Sequence, residues 1–85
     1  MWKIRFTKQA EKHKTYLRND GLENKAKFLL RVLLNDPFRT PPPCEKLIGN
    51  LQGFYSHRIN HKHRLVYKVL CEEHIIVVYS MWLHY

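Results

Sequence analysis

The apolar and polar positions predict a strand followed by two helices in the first part of the chain. Trp2 to Phe6 alternates apolar with basic residues, as half-buried strands do. Thr7 suits the N-cap of a first helix, which Asn19-Asp20-Gly21 ends. A second helix is predicted from about Leu22 to Asn35, because its apolar residues form one continuous stripe: Leu22, Ala26, Leu29, Leu30 and Leu33.

The rest of the chain changes to a period of two residues. Pro37 ends the second helix, and an irregular connection with prolines at positions 41–43 follows. Alternation and β-branched or aromatic residues then predict three strands: Phe54–Ile59, Arg64–Cys71 and Ile75–Met81. The order β-α-α-β-β-β over residues 1–85 predicts one α+β domain. Its two N-terminal helices pack on one face of a mostly antiparallel sheet.

The turn at Asn60-His61-Lys62 brings two arginines together. If this turn is centred on His61, Arg58 and Arg64 lie opposite each other on the same face of the sheet. Like charges directly opposite each other are unfavourable. Three explanations stay open at this point: an anion lies between the guanidinium groups, the strands pair in an alternative register, or a longer turn lets the two side chains separate into solvent.

The charge distribution indicates a polyanionic partner. The chain has 15 Lys+Arg against 7 Asp+Glu, a formal net charge of +8, and no acidic residue lies between positions 46 and 71. That window contains Lys46, Arg58, Lys62, Arg64 and Lys68. Such a surface attracts nucleic acid or an acidic protein. The alternative is a solvated basic face without a partner.

Several protein classes are disfavoured by composition. The two cysteines, Cys44 and Cys71, do not suggest a disulfide framework, and the charged N-terminus does not resemble a signal peptide. The longest uncharged apolar stretch, from Ile75 to Leu83, is far below the roughly 20 residues of a membrane span. We therefore expect a reduced cytoplasmic protein with no membrane association.

Metal-independent RNA cleavage needs a base for the 2′-hydroxyl, a fixed cation for the phosphorane and an acid for the departing 5′-oxygen. Glu45 is a candidate base, because it stands alone in a positive region that favours its ionised form. Arg58 and Arg64 are candidate cations, because a guanidinium keeps its proton and binds two oxygens. The candidate acids are histidines, which titrate near neutrality: His84, His63, His61 and His57.

The same residue types allow other assignments. Tyr55 and Tyr85 suit base stacking or ordinary packing. A zinc site built from the histidines at 57, 61 and 63 with Cys71 is disfavoured, because no close cysteine pair exists. Cys71 is interpreted as the end of a buried strand, where a thiol behaves as a small hydrophobe. We expect neither a metal nor a cofactor.

Four segments resemble one bacterial toxin family. They are NLQGFYSHRI at 50–59, HRLVYKV at 63–69, the closing WLHY at 82–85, and Pro43-Cys44-Glu45. Together they are similar to the Txe/YoeB toxins of the RelE-like superfamily, and the resemblance covers essentially the whole chain. It implies a RelE-like fold and a ribosome-dependent endoribonuclease that cuts mRNA in the decoding site. It also implies a cognate acidic antitoxin, and a homodimer is one expected state of the free toxin.

The resemblance assigns the roles that the chemistry left open. By position it implies Glu45 as general base, Arg64 as phosphate stabiliser and His84 as general acid. The residues expected to bind RNA are Arg58, Tyr85, His63, Tyr55 and Lys68. Two positions depart from the family pattern: His57 stands where close relatives carry arginine, and Ile48 where a relative carries lysine.

Two other functions compete with this enzyme. The first is a non-enzymatic basic module that occupies a ribosomal or RNA site and blocks translation. The second is a gyrase-directed toxin on the same superfamily fold. The second is not expected to carry Glu45, Arg64 and His84 together. The first would not need a carboxylate such as Glu45, which weakens phosphate binding in a basic region.

Overall fold

A computed structural model describes residues 2–38 and 44–82, with the side chain of residue 51 excepted. The helices are α1 (Lys8–Asn19) and α2 (Glu23–Asn35), and a short 3₁₀ turn spans Gly49–Leu51. The strands are β1 (Lys3–Phe6), β2 (Cys44–Lys46), β3 (Phe54–Arg58), β4 (Arg64–Leu70) and β5 (Ile75–Ser80). The predicted proline segment at 41–43 lies outside the described residues.

Both helices form where the pattern predicts them. The Thr7 hydroxyl accepts a hydrogen bond from the Ala10 amide at 3.1 Å and so caps α1. The apolar stripes of the helices are buried against the sheet, and the core includes Ala10, Leu17, Ala26, Leu29 and Leu33. No helix in the described ranges is both long and apolar enough to cross a membrane.

The sheet has five strands in the order β1-β5-β4-β3-β2. β1 pairs in parallel with β5, and every other neighbouring pair is antiparallel. The predicted α+β architecture is confirmed, with one addition: β2 pairs with β3 at the edge, where the sequence predicts only an irregular connection. Three residues of backbone pairing leave no periodic pattern that could predict a strand.

Alternation along the strands gives the sheet two distinct faces. Leu65, Tyr67, Ile76 and Val78 pack with the helices in the core. The opposite face carries the intervening residues, and we call it the basic face. It is defined by Lys3, Arg5, Glu45, Arg58, Arg64 and Lys68.

The interpretation of Cys71 is wrong. β4 ends at Leu70, and Cys71 is exposed in the turn that connects β4 with β5. His74 in the same turn adopts a positive φ of 57°, and its amide donates a hydrogen bond to the Cys71 carbonyl at 3.3 Å. The thiol therefore belongs to a tight solvent-exposed turn and not to the core.

Candidate active site

The structure brings the predicted base and the predicted cation into contact. Arg64 Nη1 donates a hydrogen bond to Glu45 Oε2 at 3.2 Å. Their side chains come from β2 and β4 and reach across β3 on the basic face, past the small side chain of Ser56. The Arg64 side chain is 19% exposed and that of Glu45 is 56% exposed. The carboxylate is thus open to a substrate, while the guanidinium is held in place.

The two arginines of the β3–β4 hairpin do lie opposite each other. Arg58 pairs directly with Arg64, as a turn centred on His61 predicts. Glu45 supplies the neighbouring anion for Arg64, whereas Arg58 is exposed. Two guanidinium groups and one carboxylate leave a net positive charge at this end of the sheet, which is suited to a phosphate.

The basic face extends away from this ion pair along β4. Lys68 is exposed on the same face as Arg64, and its Nζ lies 5.8 Å from the centroid of the Phe54 ring. Phe54 also contacts Tyr79 edge to face, with the ring centroids 5.3 Å apart. Cations interleaved with aromatic rings suit a nucleic-acid strand.

A buried tyrosine fixes the edge strand that carries Glu45. The Tyr67 hydroxyl donates to the Pro37 carbonyl at 2.9 Å. Since that proton is committed, the Cys44 thiol donates to the phenol oxygen over 3.0 Å. Burial, followed by the contact with Cys44, raises the pKa of Tyr67 far above its usual range. The phenol therefore stays neutral and joins the end of α2 to the start of β2.

We expect Tyr67→Phe to destabilise the fold by about 1–3 kcal/mol, because it leaves the Pro37 carbonyl and the Cys44 thiol without their buried partner. Urea denaturation measures this change. Tyr79→Phe is the matched control, since Tyr79 is exposed and the same atom is removed. Its free energy of unfolding should change by no more than about 0.5 kcal/mol. Equal stability of the two variants would contradict the role of the phenol.

Two residues expected at the RNA surface lie elsewhere. Tyr55 is half-buried on the helix side of the sheet, where its ring contacts Phe38 and stacks on Tyr67. His63 is buried, and its ring stacks on Trp82 with the centroids 3.9 Å apart. RNA contacts by Tyr55 and His63 stay predictions that this placement does not favour.

The remaining histidines separate into buried and exposed groups. His57 is buried and stacks on Tyr67 with a centroid distance of 5.7 Å, while His61 is exposed in the hairpin turn. Within the part of the chain that the structure describes, no cluster of three metal-ligating side chains occurs. Ile48 is 88% exposed.

His84 and Tyr85 lie outside the described residues. Their predicted roles as acid and as RNA contact therefore rest on the sequence. The strand that precedes them is well anchored, because the Thr7 hydroxyl donates to the Tyr79 carbonyl at 2.8 Å and the Thr7 amide to the Val78 carbonyl at 3.1 Å.

Two residues that the sequence pattern did not single out make long-range hydrogen bonds next to the strands of the site: Tyr67 contacts Pro37, and His13 contacts Met81. Tyr67 alternates with Leu65 on the core side of β4, which predicts burial but not the link to the β2 strand. His13 follows Ala10 by three residues and precedes Leu17 by four, so helical spacing could have placed it on the buried face of α1.

Comparisons with known proteins agree on one family. Residues 6–85 match the family model described as YoeB-like toxin of bacterial type II toxin-antitoxin system. The chain is similar to Toxin YoeB of Synechocystis sp., with 34% identity over 98% of this chain and 96% of that protein.

Solved structures show the same likeness in three dimensions. A YoeB/ParE toxin from Agrobacterium tumefaciens is 26% identical, with a TM-score of 0.88 over 98% of this chain and 99% of that one. Staphylococcus aureus YoeB was solved in a heterotetrameric complex with YefM, at 34% identity and a TM-score of 0.82 over 100% and 99% of the chains. It was also solved as a dimer, at 34% identity and a TM-score of 0.83 over 99% and 98%.

Proposed function

Because the chain belongs to the YoeB-like toxins of bacterial type II toxin–antitoxin systems, we propose that it is an endoribonuclease that cleaves mRNA in the decoding site of the ribosome. The observation that carries the proposal is the contact between Glu45 and Arg64, 3.2 Å apart on the basic face. A base beside a fixed cation is the pair that attack by a 2′-hydroxyl requires.

The reaction uses side chains alone. Glu45 takes the proton of the 2′-hydroxyl, and the 2′-oxygen forms a bond to the adjacent phosphorus. Arg64 donates hydrogen bonds to the equatorial oxygens of the phosphorane and neutralises their charge. The bond from phosphorus to the 5′-oxygen then breaks, and His84 protonates the departing oxygen. The products are a 2′,3′-cyclic phosphate and a 5′-hydroxyl.

Residues around this pair hold the RNA. Arg58 and Lys68 bind backbone phosphates, since both are exposed on the basic face. Tyr85 stacks on a base near the cleaved bond. The substrate is mRNA on the ribosome in the cytoplasm, and neither metal nor cofactor takes part.

The toxin is neutralised by a cognate acidic antitoxin that covers the basic face. Charge complementarity supports this partner, because the chain carries a net charge of +8. The YefM complex of the S. aureus relative is a precedent for such a pair, and the dimer of that relative is a precedent for a homodimer. The second candidate function is a non-enzymatic module that blocks the ribosome, which the basic face alone would serve.

Primer-extension mapping on programmed ribosomes tests the proposal. The wild-type protein should cut a defined mRNA at the codon in the decoding site and leave the same RNA intact without ribosomes. Blocked translation without cuts would favour the binding module.

His84→Gln should reduce this cleavage by roughly 10²-fold, the lower end for a positioned acid, because solvent can also protonate the leaving oxygen. Rates are measured in single-turnover cleavage on the same programmed ribosomes. His61→Gln is the matched control, since His61 is exposed in the hairpin turn. A normal cleavage rate with His84→Gln would exclude His84 as the acid.

A further inference from the structure

Two buried histidines hold the chain where it leaves β5. The main-chain amide of Met81 donates a hydrogen bond to His13 Nδ1 at 3.0 Å. The next residue, Trp82, accepts a hydrogen bond through its carbonyl from His63 Nδ1. Consecutive residues of the strand end are therefore bound by imidazole rings from two different elements, α1 and the β3–β4 turn.

The hydrogen-bond partners determine the tautomer of each ring. An amide can only donate, so His13 Nδ1 carries a lone pair and no proton. A carbonyl can only accept, so His63 Nδ1 carries the proton. The two rings thus act as one acceptor and one donor, and the contact with Met81 requires an unprotonated His13 Nδ1.

Ring stacking fixes Trp82 between the same two elements. The Trp82 indole stacks on His63, with centroids 3.9 Å apart and planes 20° apart, and it meets Tyr16 of α1 edge to face at 5.4 Å. Tyr16 in turn lies 5.7 Å from the His13 ring. Aromatic contacts of this kind restrict both the position and the rotation of the indole.

The β3–β4 turn that presents His63 is itself rigid. Asn60 Oδ1 accepts hydrogen bonds from the amides of Lys62 and His63, at 2.9 and 2.7 Å. The Ile59 amide also donates to the His63 carbonyl at 2.9 Å. This Asx-type turn places His63 one residue before Arg64, so the anchor of the strand end and the candidate cation share one backbone segment.

We propose that His13 and His63 are positioning residues of the nuclease, which fix the backbone at Met81 and Trp82, the latter two positions before the predicted acid His84 in the sequence. The inference rests on the proposed function. Neither histidine touches the substrate in this scheme. The two histidines act through the backbone of Met81 and Trp82.

The acceptor role of His13 makes this anchor sensitive to pH. Burial, followed by the charge of His63, lowers the pKa of His13 from 6.5. The titratable groups shown to interact with His13 are Tyr16, whose ring lies 5.7 Å away, and His63. Asp20 lines the same surface cleft as Tyr16 and Trp82, and Lys62 and Arg64 flank His63 in sequence. Protonating His13 removes the acceptor for Met81 and places positive charge near His63.

The sign of the stability effect follows from the lowered pKa. Between the folded value and 6.5 the unfolded chain binds more protons at His13 than the folded protein does. His13 therefore contributes its full stabilisation above pH 6.5. This contribution is lost as the pH falls from 6.5 through the lower pKa that His13 has in the folded protein. Activity should decline in the same direction, because the strand end loses a contact.

The test compares His13→Asn with His13→Leu. Asparagine Oδ1 can accept the Met81 hydrogen bond and does not titrate, whereas leucine keeps the volume and removes the acceptor. Two readouts are needed for each protein: the pH dependence of ribosome-dependent cleavage between pH 5.5 and 8, and the NMR shift and exchange protection of the Met81 amide. The second readout does not depend on nuclease activity, and circular dichroism verifies folding.

At pH 7.5, His13→Asn should cleave at nearly the wild-type rate, and His13→Leu should lose roughly tenfold to 10²-fold in kcat, the cost of a misplaced catalytic group. As the pH falls through the lowered pKa of His13, the wild-type rate and Met81 protection should fall more steeply than those of His13→Asn. Identical pH profiles of wild type and His13→Asn, or normal cleavage by a folded His13→Leu, would overturn the inference. If the Met81 amide of the wild-type protein responds to pH as expected but the protein does not cleave mRNA, the contact between His13 and Met81 stands and the proposed function is refuted.

Discussion

Glu45→Gln is expected to slow cleavage by roughly 10²–10⁴-fold, the contribution of a positioned general base. Glutamine has nearly the same shape and can still accept the hydrogen bond that Arg64 donates to Glu45 Oε2. It cannot take a proton from the 2′-hydroxyl. Single-turnover cleavage on programmed ribosomes measures this loss, which should appear in the rate constant at saturating enzyme.

Ribosome affinity should move in the opposite direction. Glu45 is the only carboxylate among the residues that define the basic face, so its neutralisation strengthens attraction to phosphate. Glu72→Gln is the matched control, because it makes the same change in net charge in the turn at the other end of β4. It should leave cleavage unchanged. A collapse of ribosome binding with Glu45→Gln would remove the support for Glu45 as the base.

The sequence predicted those helices and strands whose own residues carry a periodic pattern or a capping signal. The α2 stripe and the Thr7 cap have such a pattern, and both appear in the structure. In β4 the side chains alternate between the two faces as predicted, although Val66 on the basic face is buried as well. The strand β2 has no such pattern, because its pairing with β3 depends on backbone hydrogen bonds to an edge and not on its own side chains. The order of strands was also open, since alternation does not specify which neighbour a strand pairs with.

The sequence predicted which residues lie together in the candidate site, but not the contacts that support them. Charge made Glu45 a candidate base and Arg58 and Arg64 candidate cations, and the family resemblance selected Glu45 and Arg64. The structure places Glu45 in contact with Arg64 and Arg58 opposite Arg64. The supporting contacts join positions far apart in sequence, such as His13 with Met81 and Tyr67 with Pro37. Composition and periodicity carry no information about such pairs, so only the folded chain reveals them.

Arg64→Ala is expected to reduce cleavage by roughly 10²–10³-fold, the cost of removing a preorganised donor to a developing negative charge. Arg64 is suited to this task because its side chain is only 19% exposed and Glu45 holds one of its nitrogens in place. A fixed cation need not reorganise when the phosphorane forms. The loss should therefore appear mainly in kcat.

Arg64→Lys separates charge from geometry. A lysine keeps the positive charge but cannot bind two phosphorane oxygens with a planar fork, so it should recover only part of the lost rate. Lys68→Ala is the matched control for charge, since Lys68 lies on the same face of the same strand and is exposed. It should weaken ribosome binding and its salt dependence while kcat stays near the wild-type value. If Lys68→Ala and Arg64→Ala lowered kcat equally, cleavage would depend only on the total positive charge of the basic face. Arg64 would then have no specific role in stabilising the phosphorane.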